Sequence, residues 1–131
     1  MRISRPLRVL IVDDTPIVRA VVRRALATDA RFDVVGEATN GREAIDHTLV
    51  GAPDLVLLDL AMPEMDGLEA LPHILEAAPA ARVIVLSAFS PDQMAQRAIA
   101  AGAVAYIEKN RLARELVLGI VAVFDGLLLD A

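Results

Sequence analysis

A doubly wound α/β fold with a parallel sheet is what this sequence predicts, on three observations. Strand-like and helix-like stretches alternate five times along 131 residues. Three of the strand-like runs are almost wholly apolar, as strands covered on both faces must be. The residues able to do chemistry stand at the ends of those runs, not inside them. Alternation of this kind implies right-handed crossovers and helices on both faces of the sheet. In open sheets so built, ligands bind beyond the carboxyl ends of the strands.

The elements follow in order. Leu7 to Val12, apolar but for one arginine, is strand one and runs into Asp13-Asp14. Thr15 is placed as an N-cap and Pro16 at the first helical position. That helix runs to about Thr28, with apolar positions at Ile17, Val21, Val22 and Leu26. Phe32 to Ala38 is strand two. Asn40-Gly41 turns the chain into a second helix ending near Gly51, before Pro53. Leu55 to Leu58, four apolar residues closed by Asp59, is strand three, and Pro63 and Gly67 punctuate the loop that follows. Helix three runs from Gly67 to Ala78 on a stripe of Leu68, Leu71, Ile74 and Leu75, with Pro79 beyond it. Arg82 to Leu86 is strand four, ending at Ser87-Ala88. Pro91-Asp92 opens helix four, which stops before Gly102. Val104 to Glu108 is strand five, ending at Lys109, and helix five runs from about Arg111 into the tail.

The bulk composition narrows the function classes. With 56 % hydrophobic and 24 % charged residues the chain reads as one domain over residues 1–131, with no output domain after it. The net charge of −5 argues against nucleic acid as a direct ligand. Arg19, Arg23 and Arg24 read as a solvated helix face. The absence of cysteine excludes disulfides and thiolate metal sites. No signal-peptide block or membrane-length apolar run is present, so a cytoplasmic location is expected. His47 and His73 read as separate surface residues.

Asp13, Asp14, Asp59, Ser87 and Lys109 all fall at strand ends and are expected to share one rim. Three close carboxylates repel one another, so positive charge must join them. Lys109 supplies one charge and a divalent cation would supply two more. All-oxygen ligands select magnesium over zinc. Two carboxylates and the backbone carbonyl of Ala61 would hold it. Such a site suits a phosphoryl group: the ammonium neutralises its oxygens, Ser87 donates to one of them, and Asp59 is a possible nucleophile.

These residues and their spacing resemble the receiver domain of bacterial two-component response regulators. The likeness rests on Asp13-Asp14, Asp59 with Met62-Pro63 and Asp66-Gly67, Ser87-Ala88, Tyr106 and Lys109, and covers essentially the whole chain. It implies a flavodoxin-like (βα)5 sheet with strands in the order 2-1-3-4-5. It implies that Asp59 takes phosphate from a sensor histidine kinase or a phosphotransfer protein, as an aspartyl phosphate. Asp14 would bind Mg2+ directly, Asp13 largely through water, with Asp59 and the Ala61 carbonyl completing the protein ligands. Lys109 would bridge to Asp59 and then to the phosphoryl group. Ser87 and Tyr106 would be the switch, remodelling the face of helix four, strand five and helix five, where a homodimer or an output domain would bind. Self-phosphorylation and self-dephosphorylation are the only catalysis implied.

The sequence departs from that pattern in places. Asn110 stands where the family usually has a proline in a cis peptide. A cis bond before a non-proline residue costs roughly 2.5–4 kcal/mol, so a trans bond is expected. Ala61 and Phe89 replace polar residues often found beside the phosphorylation site, which implies slow self-dephosphorylation. Helix five carries more apolar residues than one stripe needs: Val117, Leu118, Val121, Leu128 and Leu129 add to Leu112, Leu116, Ile120, Val123, Phe124 and Leu127. Two other functions compete. A Mg-dependent phosphohydrolase of the haloacid-dehalogenase type would need an acid two residues after its nucleophile, where this chain has Ala61. A receiver-like interaction module that never takes phosphate would have no use for the intact acid cluster and Lys109.

Overall fold

A computed structural model describes residues 5–124. Five strands, β1 (Leu7–Val12), β2 (Phe32–Ala38), β3 (Leu55–Asp59), β4 (Arg82–Ser87) and β5 (Ala105–Glu108), form one parallel sheet in the order β2-β1-β3-β4-β5. Five helices connect or follow them: α1 (Pro16–Ala27), α2 (Gly41–Gly51), α3 (Gly67–Ala77), α4 (Pro91–Ala100) and α5 (Leu112–Val123). The expected fold and strand order are what the structure shows, with element ends moved by a residue or two.

The two-residue period of a strand divides the core into two layers. Val9, Ile11, Leu55, Leu57, Ile84 and Leu86 point to one face, where α1 and α5 cover them with Val22, Leu26, Leu116, Ile120 and Phe124. Leu10, Val12, Val56, Leu58, Val83 and Val85 point to the other, under Ala44, Leu71, Ile74 and Ala98 of α2, α3 and α4. β3 lies at the centre, and all five of its residues are buried. Its carboxyl end is therefore surrounded by loops from β1, β4 and β5.

Some expectations need correction, while the N-cap position of Thr15 and the trans bond before Asn110 are as expected. Ile17 and Val21 are exposed, at 75 % and 42 %, and Val18 and Ala25 take their places against the core. A twelve-residue helix at the sheet margin buries a narrower stripe than its four apolar positions suggest. Thr15 is the N-cap of α1, but its hydroxyl makes no cap bond. Pro72 lies inside α3, on its exposed side, where it removes one helical hydrogen bond; the buried Leu71 and Ile74 beside it keep the helix docked. Among the described residues every peptide bond is trans, including Lys109–Asn110, and residues Lys109–Arg111 form a single 3-10 turn leading into α5. Leu127, Leu128 and Leu129 lie outside the described residues.

The loop after β3 is held by close backbone packing. The Gly67 N–H donates to the Leu60 carbonyl at 3.0 Å. A β-carbon on Gly67 would press into the carbonyl oxygen of Asp59. The Gly41 N–H donates to the Met65 carbonyl at 2.8 Å, so the turn before α2 braces the same loop. Asp66 caps α3 by accepting from the Glu69 N–H at 2.8 Å. These contacts fix where the Asp59 side chain leaves the strand.

Gly67→Ala is expected to lower stability by about 3 kcal/mol or more, because the atoms it meets are backbone. Gly51→Ala, at a helical position with open space around it, is expected to be neutral or to stabilise by about 0.5–1 kcal/mol. Urea unfolding of the two variants beside the parent measures both.

Candidate functional site

The five strand-end residues converge as their positions require. Asp13 directly follows β1, and its N–H donates to the Ala38 carbonyl at 3.0 Å, which sets the carboxylate at the end of the sheet. Asp13 Oδ1 accepts the Thr15 N–H at 2.8 Å, and its Oδ2 meets Lys109 Nζ at 2.7 Å. Asp59 Oδ1 accepts the Ala61 N–H at 3.3 Å and lies 3.1 Å from the same ammonium. Lys109 thus spans two buried carboxylates, exposed 1 % and 3 % as side chains, while only 19 % of its own side chain is exposed. Asp14 is exposed at the rim. Asp13, Asp14 and Asp59 each present one oxygen within 4.8 Å of the others.

Charge at this point does not balance. Three carboxylates face one ammonium, and Asp59 Oδ2 is buried with no hydrogen-bond donor. Burial, and then the neighbouring Asp13 charge, push the Asp59 carboxyl up to about 6, against the opposing pull of Lys109. Burial works against the Lys109 ammonium, but the two carboxylates more than offset it and hold its pKa above the usual lysine value. A buried orphan oxygen, crowded carboxylates and an oxygen-only donor set fit a small hard dication such as Mg2+. Asp13, Asp14 and Asp59 are the side chains that could hold it. Ala61 lines the same groove as Asp14.

Ser87 ends β4, buried, opposite Glu108, the residue before Lys109. Its Oγ accepts the Phe89 N–H at 3.0 Å, which leaves its own proton available to donate. Tyr106 is half-buried against the α3 side of the core, and its hydroxyl donates to the Phe89 carbonyl at 2.9 Å. Ser87 and Tyr106 therefore both bond to residue 89, one to its N–H and the other to its carbonyl. Nothing in the sequence signalled that link, because any residue has a backbone N–H and C=O.

Arg19 is a second feature missed in the sequence. It is not a solvated charge: its Nη1 donates to the Asp13 carbonyl at 2.7 Å while its Nε holds Glu37 at 2.9 Å. Arg23 pairs with the same Glu37 at 2.6 Å. The only available signal was its place one turn into α1, directly after the acid pair. His47 and His73 are exposed and take no part.

The family model for the response regulator receiver domain matches residues 9–120.

This chain belongs to that family.

It is 44 % identical over 102 residues to the chemotaxis protein CheY of Thermotoga maritima, covering 78 % of this chain and 84 % of that one. It is 41 % identical over 116 residues to a protein-glutamate methylesterase/protein-glutamine glutaminase of Rhodospirillum centenum, covering 86 % of this chain but only 29 % of the methylesterase. Its fold matches a chain of the CheX–CheY–BeF3–Mg2+ complex of Borrelia burgdorferi, with a TM-score of 0.86 and 30 % identity, covering 92 % of this chain and 90 % of that one. Receiver domains of this family are regulatory parts of two-component systems and bind Mg2+ at an acidic pocket. The likeness to the methylesterase covers the receiver alone. No helix among the described residues is long and apolar enough to cross a membrane.

The raised Asp59 pKa sets the sign of a pH effect. Its folded value lies above its unfolded one, so its contribution to stability is present in full below about pH 4 and is lost as pH rises through about 6. Asp59→Asn escapes that loss. In chelator-treated buffer it is expected to exceed the parent in stability by about 1–3 kcal/mol at pH 7.5, and by about half as much at pH 5. Urea titrations at the two pH values measure it.

Proposed function

We propose that this receiver is a phosphorylation-controlled switch in which Asp59 accepts a phosphoryl group from a sensor histidine kinase or a phosphotransfer protein. The observation that carries this is the buried Asp59 carboxylate, half satisfied by Lys109 and half without a partner, at the end of the central strand. Mg2+ bound by Asp13, Asp14 and Asp59, with the Ala61 carbonyl, would neutralise the carboxylates and the arriving phosphoryl oxygens. An Asp59 oxygen attacks phosphorus while Lys109 stays close to that carboxylate and screens the oxygens that gain charge. Ser87 turns its free proton to a phosphoryl oxygen. Because Phe89 joins Ser87 to Tyr106, a pull on Ser87 is passed to the tyrosine by backbone. Phosphorylation then biases one of two arrangements of the α4-β5-α5 face. Exposed Ile99, Val104 and Leu118 on those elements and the turn between them would meet an output domain or a second copy.

The unit is read as one receiver domain with no turnover on a free substrate. A phosphohydrolase needs an acid to protonate its leaving group, and Ala61 offers none. The alternative of a scaffold that never takes phosphate leaves Lys109 and the orphan oxygen without a role. Ala61 and Phe89 present no polar side-chain atom to orient a water, so the aspartyl phosphate should be long-lived.

Incubating the chain with acetyl phosphate and Mg2+ and weighing the intact protein tests this. One phosphoryl group should be gained, none in Asp59→Asn, and Lys109→Ala should react about 10- to 100-fold more slowly. After donor removal the modification should persist for minutes or longer. A half-life of seconds would refute the slow-hydrolysis reading, and an unmodified parent would refute phosphoacceptance.

A further inference from the structure

A groove of about 450 Å³ opens beside the acid cluster. Asp14 and Ala61 form part of its wall, Phe89 and Met94 another part, and Arg97 of α4 supplies its only cation. Asp66 lines it as well, with one oxygen already used to cap α3. The Arg97 guanidinium touches the Met94 sulfur at 3.9 Å, one helical turn away on the same face. It has no carboxylate partner among the described residues, although two carboxylates line the same groove. Lys109, by contrast, is already shared between Asp13 and Asp59.

We propose that Arg97 positions the leaving-group end of small phosphodonors in this groove and favours acyl phosphates over N-phosphoryl donors. The inference rests on Asp59 as the phosphoacceptor. In the transfer an Asp59 oxygen bonds to phosphorus on one side, and the donor bond breaks on the other. A leaving group is therefore expelled away from Asp59, and this groove, lined by Asp14 and Ala61, is open volume beside the site. With an acyl phosphate the P–O bond breaks, its electron pair stays on the acyl oxygen, and a free carboxylate forms without needing a proton. With phosphoramidate the P–N bond breaks, the pair returns to a nitrogen that already carries its protons, and neutral ammonia leaves. Negative charge thus develops in the groove only in the first case. There it meets Arg97 in surroundings that are otherwise acidic and apolar. The chain carries a net charge of −5, so this guanidinium also opposes the repulsion an anionic donor meets on approach.

The test compares pseudo-first-order rates of Asp59 phosphorylation from acetyl phosphate and from phosphoramidate, in the parent, Arg97→Gln and Arg97→Lys, all with Mg2+ at low ionic strength. Arg97→Gln is expected to lower the ratio of the two rates about 3-fold or more, and Arg97→Lys to restore most of it. Added salt should shrink the difference. Calorimetric Mg2+ titration gives a readout free of phosphotransfer: Arg97→Gln should bind Mg2+ no more weakly than the parent, since a cation has been removed. An unchanged rate ratio overturns the proposal, and so does weakened Mg2+ binding, which would make Arg97 a support of the metal site. If neither donor modifies the parent, or if Asp59→Asn is still modified, the phosphoacceptor reading itself falls and takes this one with it.

Discussion

The ammonium of Lys109 lies between two carboxylates that have been taken out of water, and much of the molecule is arranged around keeping it there. Isolated buried charges are unfavourable by several kcal/mol each, and mutual attraction repays that only when geometry is good and other hydrogen bonds help. Here Asp13 is helped by the Thr15 N–H, and Asp59 by the Ala61 N–H. Asp13 Oδ2 has only the Lys109 ammonium to meet it, and Asp59 Oδ2 has neither a donor nor a cation. A chain selected for stability alone would fill or pair that oxygen. Left bare, it stands in an acidic pocket with Lys109 3.1 Å from the other oxygen, the arrangement the proposed nucleophile needs.

Parallel topology makes this convergence possible. Because β1, β3, β4 and β5 all run the same way, their carboxyl ends lie on one edge, and residues about 100 positions apart in sequence become neighbours. The central position of β3 puts Asp59 between the ends of β1 and β4. Helices on both faces then leave the strand ends as the one place where polar groups can gather without breaking the core. The close packing at Gly67 and Gly41 stiffens the loop that carries Ala61, so the carboxylate is held from below by the sheet and from the side by backbone.

Much of this was legible from residue types alone. Apolar runs closed by Asp13, Asp59, Ser87 and Lys109 carry both the architecture and the convergence, because burial on both faces is a strong one-dimensional signal. The helices are legible too, and of the four apolar positions of α1 Val22 and Leu26 face the core, but Ile17 and Val21 are just as apolar and only the angle at which the helix meets the sheet separates them. Arg19 was read as surface because a long side chain can either reach solvent or fold back onto a carbonyl, and its type does not say which. The junction at Phe89 was invisible for a different reason, since backbone groups carry no identity in a sequence. Asn110 could be read correctly because the unfavourable energy of a cis bond before a non-proline residue is large enough to decide the matter.

Ser87 and Tyr106 meet through the backbone of residue 89 and not through its side chain. The connection uses only main-chain atoms, while the side chain of Phe89 faces the groove and is 43 % exposed. On the mechanism proposed above, a change of side chain at residue 89 would alter how long a signal lasts while leaving the main-chain link between Ser87 and Tyr106 in place. Timing and transmission would then be adjustable separately, one through a side chain and the other through backbone.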